Sequence, residues 1–139
     1  MNIRTKKILL PLLILTVSLA LLAACSGDNG NGENVSEKEV IGTVTLSVSG
    51  YGDMANLEAS EINLTEGMTA LDALYTTDFV IVASDGFVTS VDGLKNGIEG
   101  YPYSGWTYTV NGEFASVGAS EYILEDGDEV EWKYSLTFE

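Results

Sequence analysis

The feature that most constrains this chain is an apolar run near its amino terminus, from Ile8 to Ala24, which follows the basic residues Arg4, Lys6 and Lys7. A basic segment followed by an apolar one is typical of a secretion signal, which takes no part in the folded domain. At about 17 residues the run is at the short limit for crossing a bilayer as a helix. The sequence therefore predicts a signal peptide over residues 1–24 and leaves room for at most one domain.

The apolar run ends in Leu22-Ala23-Ala24-Cys25 and is followed at once by the polar segment 26–30. This ending resembles the lipobox of bacterial lipoproteins, in which small residues precede a cysteine. The resemblance implies that Cys25 carries a diacylglycerol thioether and becomes the mature amino terminus, with acyl chains such as palmitate. Each buried CH₂ contributes ~0.8 kcal/mol to anchoring. We therefore expect an extracytoplasmic, lipid-anchored protein, whereas the alternative is a transmembrane anchor ending in a buried cysteine.

Residues 25–39 are polar and rich in glycine and asparagine. Such a segment buries too little apolar surface to order itself. The spacing of its acidic residues does not match a calcium loop, which needs alternating ligands. The sequence predicts a flexible tether with a mean reach of ~20 Å, followed by a folded domain over residues 40–139.

The composition excludes several classes of function. The chain has no histidine, one cysteine, 6 Lys and Arg, and 21 Asp and Glu. Catalysis that depends on histidine, imidazole metal sites and cysteine-rich zinc sites are therefore excluded. The acidic balance argues against nucleic acid, which requires a basic surface. We expect no enzyme, no metal site and no catalytic cofactor.

Three segments carry clear strand patterns. Apolar and polar residues alternate over Val40–Val48 and again over Val130–Phe138, which is typical of strands with one buried face. The run Phe79–Ala83 is continuously apolar, which favours a strand covered on both faces. Most of the domain is therefore predicted to be β-structure.

One helix is predicted, beginning at Thr69, because Thr69 and Asp72 fit the capping pattern of a helix start. Asn111-Gly112 is a strong signal for a type I′ hairpin turn. The order of hairpin, helix and further strands predicts an α+β, β-grasp-like domain. Its sheet is expected to be small, mainly antiparallel or mixed, with the one short helix against it.

Three motifs in this order, Glu66–Leu74, Gly105–Gly112 and Asp126–Trp132, resemble a bacterial domain of unknown function. That domain is itself similar to the carboxy-terminal β domain of transcobalamin and intrinsic factor. The resemblance covers roughly residues 42–136. It implies a β-grasp-like fold on the bacterial surface, linked in some proteins to corrinoid uptake and in others to adhesion.

The most suggestive ligand contacts are Tyr101, Tyr103 and Trp106, in a segment bracketed by Gly100 and Gly105. Aromatic side chains on a stiffened loop form a stacking platform for a flat ring or a sugar. They serve equally as a lid over the sheet, with Trp106 in the core. Both interpretations stay open at the level of sequence.

The resemblance adds Ser116, Val117 and Tyr122 as further candidates near the corrinoid-facing edge. Trp132 is expected in the core, and the acidic residues of segment 125–129 are expected to form a solvated turn. The function predicted is a surface lipoprotein that binds a small ligand, with a corrinoid as one candidate, or assists its uptake. The alternative is a non-catalytic interaction or adhesion module that contacts a transporter or another surface protein.

Overall fold

The structure is a computed structural model that describes residues 38–137. The predicted signal peptide, Cys25 and nearly all of the tether lie outside the described residues, as does Phe138. The predictions for residues 1–24 and 25–39 therefore stay predictions. Among residues 38–137, no helix has the length and apolar character needed to cross a bilayer.

The described chain is mostly β-structure with one short helix. The elements are β1 (Val40–Ser49), β2 (Leu57–Thr65), α1 (Ala70–Tyr75), β3 (Ile81–Ser84), β4 (Phe87–Val91), β5 (Leu94–Lys95), β6 (Gly105–Val110), β7 (Glu113–Phe114) and β8 (Glu129–Ser135). A five-stranded sheet has the order β2-β1-β8-β6-β7, and a three-stranded sheet has the order β3-β4-β5. Strands β1 and β8 pair in parallel, and every other pairing is antiparallel.

The alternating strands place one face in the core, as predicted. On β1 the side chains of Val44, Leu46 and Val48 are buried, and on β8 those of Val130, Trp132 and Tyr134 are buried. The residues between them on β8 are exposed. The prediction that Trp132 lies in the core is confirmed, since its side chain is 2% exposed.

The capping prediction for the helix is confirmed in detail. The hydroxyl of Thr69 accepts a hydrogen bond from the backbone N–H of Asp72 at 3.1 Å. The Asp72 carboxylate in turn accepts from the backbone N–H of Thr69 at 2.9 Å. These bonds satisfy free N–H groups of the first turn. The helix buries Ala70, Ala73 and Leu74 in the same core cluster as the apolar face of β1.

Two expectations about the sheets are wrong. The strands form two sheets, where the sequence suggested one. The continuous apolar run Phe79–Ala83 predicts a strand covered on both faces, but the side chains of Val80 and Val82 are 68% and 52% exposed. Strand β3 lies at the edge of the small sheet and pairs with β4 alone. A short apolar run does not distinguish such an edge strand from a fully buried one.

Both turns expected from the sequence are present, and the second makes an additional contact. Asn111 and Gly112 have φ values of 54° and 79°, as a type I′ turn requires. In the acidic turn Glu125, Asp126 and Glu129 are exposed, as expected for a solvated turn, and the turn also makes a contact that was not expected. Asp126 Oδ1 accepts from the Thr43 N–H at 2.8 Å, and a Cβ at Gly42 would overlap that carboxylate. The turn is therefore hydrogen-bonded to the start of β1. No pattern of neighbouring residues in the sequence predicts this contact.

We expect the substitution Leu74→Ala to lower the free energy of unfolding by about 2–5 kcal/mol, because it removes a fully buried side chain of the helix. The neighbouring Tyr75 is 53% exposed, so Tyr75→Ala should change it by about 0.5 kcal/mol or less. Urea denaturation followed by circular dichroism measures both. Equal losses in the two variants would contradict this assignment of the buried face.

Candidate functional site

A pocket of about 200 Å³ lies where the three-stranded sheet meets the five-stranded sheet. Strand β4 contributes residues from the small sheet, and β6, β7 and β8 contribute residues from the large one. The aromatic residues that line it are Phe87, Trp106, Tyr108, Phe114 and Trp132. The pocket is therefore largely aromatic, a composition that is typical of ligand sites.

The strand register explains why three of these rings meet. Trp106 and Tyr108 are two residues apart on β6 and so share the core face, and Tyr108 lies opposite Trp132 on β8. The rings of Tyr108 and Trp132 stack, with centroids 5.2 Å apart and planes at 30°. Trp106 and Trp132 are 8% and 2% exposed. Both tryptophans therefore belong to the core cluster and border the pocket from its buried side.

A second wall comes from the segment after β7, through Ala115, Val117, Gly118 and Ala119. The Tyr108 hydroxyl donates to the Val117 carbonyl at 2.6 Å. The N–H of Ala119 donates to the Gly86 carbonyl at 3.2 Å, and the helix residue Leu71 donates to the Ala119 carbonyl at 3.0 Å. Hydrogen bonds from β6, α1 and the β3–β4 turn therefore hold this otherwise irregular segment in place.

The electrostatics around Tyr108 keep its hydroxyl protonated. Desolvation by burial raises the pKa of Tyr108 above its ordinary value of 10.0, and the neighbouring Tyr122 and Glu121 raise this pKa further. The group therefore remains a hydrogen-bond donor to Val117 at neutral pH. Glu121 also places a negative charge close to this wall.

The two tryptophans of the pocket differ in their hydrogen bonding. The indole N–H of Trp106 donates to the Leu94 carbonyl at 2.9 Å. The indole nitrogen of Trp132 is buried and has no hydrogen-bond partner. Tyr134, whose ring packs edge-on against Trp106 at 5.3 Å, donates its hydroxyl proton to the Lys95 carbonyl at 2.6 Å.

Among the residues predicted from sequence, Trp106 and Val117 line this pocket. Ser116 is an exposed neighbour within the same wall. Tyr122 is half-buried behind Tyr108, with ring centroids 6.2 Å apart. These four residues are brought to one region, and their contact with a ligand stays a prediction.

Tyr101 and Tyr103 belong to a different surface. The Ser104 side chain donates to the Tyr101 carbonyl at 2.7 Å and closes a tight turn. Tyr103 is 78% exposed at this turn, and Tyr101 packs edge-on against Tyr51 at 6.4 Å. Neither tyrosine lines the aromatic pocket. That they contact a ligand stays a prediction. Such a ligand would lie on a second surface, outside the aromatic pocket.

Sequence reasoning missed several lining residues, notably Phe87, Tyr108 and Phe114. Tyr108 shares the alternating pattern of Trp106, so that pattern was a usable signal. Phe87 and Phe114 lie on short strands, and no local signal brings them to the same pocket. Within residues 38–137, no three side chains of the usual metal-ligating types gather into a site.

Comparisons with known proteins place this geometry in context. Residues 54–135 match the profile of a family described as a domain of unknown function (DUF4430). No curated protein matches the chain.

Two of the solved structures that share the fold illustrate the likeness. One is a "putative metal binding protein" from Ruminococcus gnavus ATCC 29149, with a TM-score of 0.54 and 19% identity over 70% of this chain and 99% of that one. The other is haptocorrin in complex with Cbi, with a TM-score of 0.51 and 17% identity over 72% of this chain and 27% of that one. At these identities the likeness establishes the fold alone. The match spans about a quarter of haptocorrin.

We expect Tyr108→Phe to lower the free energy of unfolding by about 0.5–1 kcal/mol at neutral pH, because it removes the hydrogen bond to Val117. The contribution of this hydroxyl is fully present below the ordinary tyrosine pKa. It is lost as the pH rises through the raised pKa of the folded state. Wild-type and variant stabilities should therefore converge at alkaline pH. Urea denaturation across this pH range measures the difference, and a constant gap would contradict the assignment.

Proposed function

The chain belongs to the DUF4430 family, and on this basis we propose that its domain is a non-catalytic module that binds a small ligand in the aromatic pocket. The likeness to haptocorrin, solved with Cbi bound, makes a corrinoid the first ligand to test. The observation that carries the proposal is the pocket itself, with its five aromatic residues at the junction of two sheets.

The size of the pocket limits what it can hold. Pockets that enclose a drug-sized ligand have volumes of roughly 300–1,000 Å³, whereas this one has about 200 Å³. A corrinoid is larger still, so it would place one part of its surface in the pocket and leave the rest outside. Affinity for the isolated domain is then modest, unless a second protein covers the exposed part.

The chemistry of the lining supports binding over catalysis. Acidic side chains, lysine and cysteine are absent from the lining residues of the pocket. The hydroxyl of Thr107 donates to the Lys133 carbonyl at 3.2 Å, and that of Tyr108 donates to Val117. Both hydroxyls are therefore engaged with backbone carbonyls, and neither donates to a side-chain base that would activate it as a nucleophile.

We infer a β-grasp-like arrangement for the domain from its strand order. The first and last strands, β1 and β8, are parallel neighbours inside the large sheet, with β2 and β6 on either side. The one helix packs its apolar side chains into the core of this sheet. These features support the topology that the sequence suggested.

The binding proposal is tested by titrating the chain with cobinamide and cobalamin and following tryptophan fluorescence, corrected for corrinoid absorption. We expect saturable quenching, since Trp106 and Trp132 both line the pocket. Phe87→Ala and Phe114→Ala should weaken binding by about three- to tenfold, because each removes apolar contact area from an exposed side chain. The matched control is Tyr103→Ala, an exposed aromatic outside the pocket, which should leave affinity unchanged.

Two results would count against this site. Weakening by Tyr103→Ala alone would move the ligand to the surface of Tyr101 and Tyr103. An absence of quenching at several hundred micromolar corrinoid would remove the corrinoid as a ligand of this chain.

We further propose that Cys25 is acylated and holds the domain outside the cell on the bacterial membrane. The support is the sequence alone, namely the small residues before Cys25 and the basic and apolar segments before them. Cys25→Ala should abolish incorporation of labelled palmitate and release the protein from the membrane fraction. Unchanged labelling in the variant would contradict the proposal.

A second function, docking of a protein partner such as a transporter or surface protein, is favoured by one observation. Val80, Val82 and Phe87 are each more than half exposed on or beside the two neighbouring strands β3 and β4. Clustered exposed apolar side chains mark interaction surfaces. Crosslinking from intact membranes with a photoreactive residue at Val82 tests this function, and Glu58 on β2 is a matched exposed control position.

A further inference from the structure

Four strands form the edges of the two sheets in residues 38–137, namely β2 and β7 of the large sheet and β3 and β5 of the small one. Three of these edges are protected against further pairing. Strands β5 and β7 are each two residues long, and β2 carries the exposed carboxylates of Glu58 and Glu61. Short edge strands and charged side chains are usual means by which proteins prevent another strand from adding to a sheet.

The fourth edge, strand β3, lacks charged side chains. Segment 79–84, which contains β3, has no charged residue, no proline and no glycine. Val80 and Val82 are 68% and 52% exposed, and none of the four residues of β3 is buried. Among the described strands, β3 pairs with β4 alone. Its other side is therefore an apolar edge that is open to a further strand.

The backbone of β3 directs hydrogen-bonding groups toward this open side. The Val80 carbonyl accepts from the Asp92 N–H at 2.8 Å, so Val80 is hydrogen-bonded on the side of β4. Because successive residues of a strand alternate in direction, the N–H and carbonyl of Ile81 face the open side. The register shift between β3 and β4 arises from an additional residue, Thr89, on β4. The free side of β3 therefore keeps the regular alternation that an added strand requires.

Carboxylates lie at both ends of this edge. Asp78 precedes the segment and Asp85 follows it, while the bond to Val80 places Asp92 beside its start. All three carboxylates are exposed, and residues 78–92 contain no lysine or arginine. Their charge attracts a cationic segment and repels an anionic one.

We propose that β3 is a docking edge for an extended, basic segment of a partner protein, which adds to the small sheet as a further strand. Lysine or arginine side chains of this segment lie near Asp78 and Asp85. In this mode of recognition, backbone hydrogen bonds supply affinity and side chains supply specificity. The inference rests on the second proposed function, the docking of a protein partner, and deepens it. It is independent of ligand binding in the aromatic pocket.

Charge also argues against two other occupants of the edge. Segment 25–37 of this chain contains three acidic residues and no basic one. A second copy that paired in antiparallel orientation, centred on β3, would bring Asp85 of one copy close to Asp78 of the other. Like charges so placed oppose association. A basic partner is the occupant that this edge favours.

Three peptides of one length test the proposal. The first, Lys-Val-Thr-Val-Thr-Val-Lys, is blocked at both ends and carries a fluorophore. In the second, glutamate replaces both lysines. The third has the sequence of the first but is methylated on its five central backbone nitrogens, which then donate no hydrogen bond. Fluorescence anisotropy measures the binding of each peptide to the whole chain in micelles of a neutral detergent.

We expect the lysine peptide to bind saturably and the glutamate and methylated peptides to bind about tenfold more weakly or less. An increase in salt from about 50 to about 500 mM should weaken the lysine peptide, because exposed charges are screened. Amide hydrogen exchange should slow in residues 79–84 when this peptide binds. Exchange in β2, the long edge strand of the other sheet, should stay unchanged.

Variants of the chain locate the binding edge. Val82→Lys introduces a charge of the kind that protects edge strands and should weaken the lysine peptide by about tenfold. Asp85→Asn should weaken it by about two- to fivefold, as expected for the loss of one exposed ion pair. Asparagine tolerates the φ of 51° at this position. The matched controls, Val82→Thr and Glu61→Gln on β2, should leave the affinity within about twofold of the wild type.

Several results would overturn the inference. Equal binding of the methylated peptide would show that backbone pairing is not used, and equal binding of the glutamate peptide would show that charge is not recognised. Slower exchange in β2 alone would place the peptide on another edge. The comparison of the three peptides uses the unsubstituted chain, so it stands even where a variant does not fold.

The crosslinking experiment at Val82 separates this inference from the proposed docking function. A partner crosslinked at Val82, with no binding of the lysine peptide at about 0.5 mM chain, would sustain docking and refute strand addition by a basic segment. Crosslinks between two copies of the chain would assign the edge to self-association and refute the inference. Failure of both experiments would refute both proposals.

Discussion

The parallel pairing of β1 with β8 is the interaction on which the rest of the described structure depends. It aligns Leu46 with Val130 and Val48 with Trp132, and so joins the first strand of the domain to its last. Parallel strands need a long connection between them, and here that connection contains the helix, the small sheet and the wall of the pocket. The contacts of Asp126 with Thr43, and of Thr45 with the Asp128 carbonyl, fix the start of this pairing.

This topology also determines where the aromatic pocket forms. Because β8 lies between β1 and β6, Trp132 faces the core beside Tyr108 and is stacked against it. The segment from Ala115 to Ala119 then closes one side by bonding to Tyr108, Gly86 and the helix. The site is thus a consequence of packing between two sheets, and no single stretch of sequence contains it.

Local chemistry explains which features could be predicted from the sequence. The capping pair Thr69 and Asp72 lies within one turn, and the alternation of β1 and β8 indicates one buried face. Both features can therefore be predicted from a few consecutive residues. The hydrogen bond from the Thr43 N–H to the Asp126 carboxylate joins residues 83 positions apart in the sequence, and the split into two sheets depends on strand pairing; neither has a local signal. The same limit applies to the site. Sequence favoured the tyrosines of a prominent loop, whereas the structure gathers Trp106 and Val117 with Phe87 and Phe114 from distant strands.

Charged and apolar side chains are unevenly distributed over the domain, and this affects how a ligand would bind. The chain carries a formal net charge of −15, yet the pocket lining has no charged side chain, and two of its phenylalanines are mostly exposed. Exposure of apolar side chains to water is unfavourable in free energy. This free energy is regained only when a ligand or another protein covers them. A pocket of about 200 Å³ encloses one ring system and leaves both phenylalanines at its margin free to contact a second surface. Under the proposed function, this arrangement suits a ligand that two surfaces share, because the acidic exterior repels anions and the pocket is lined by aromatic side chains.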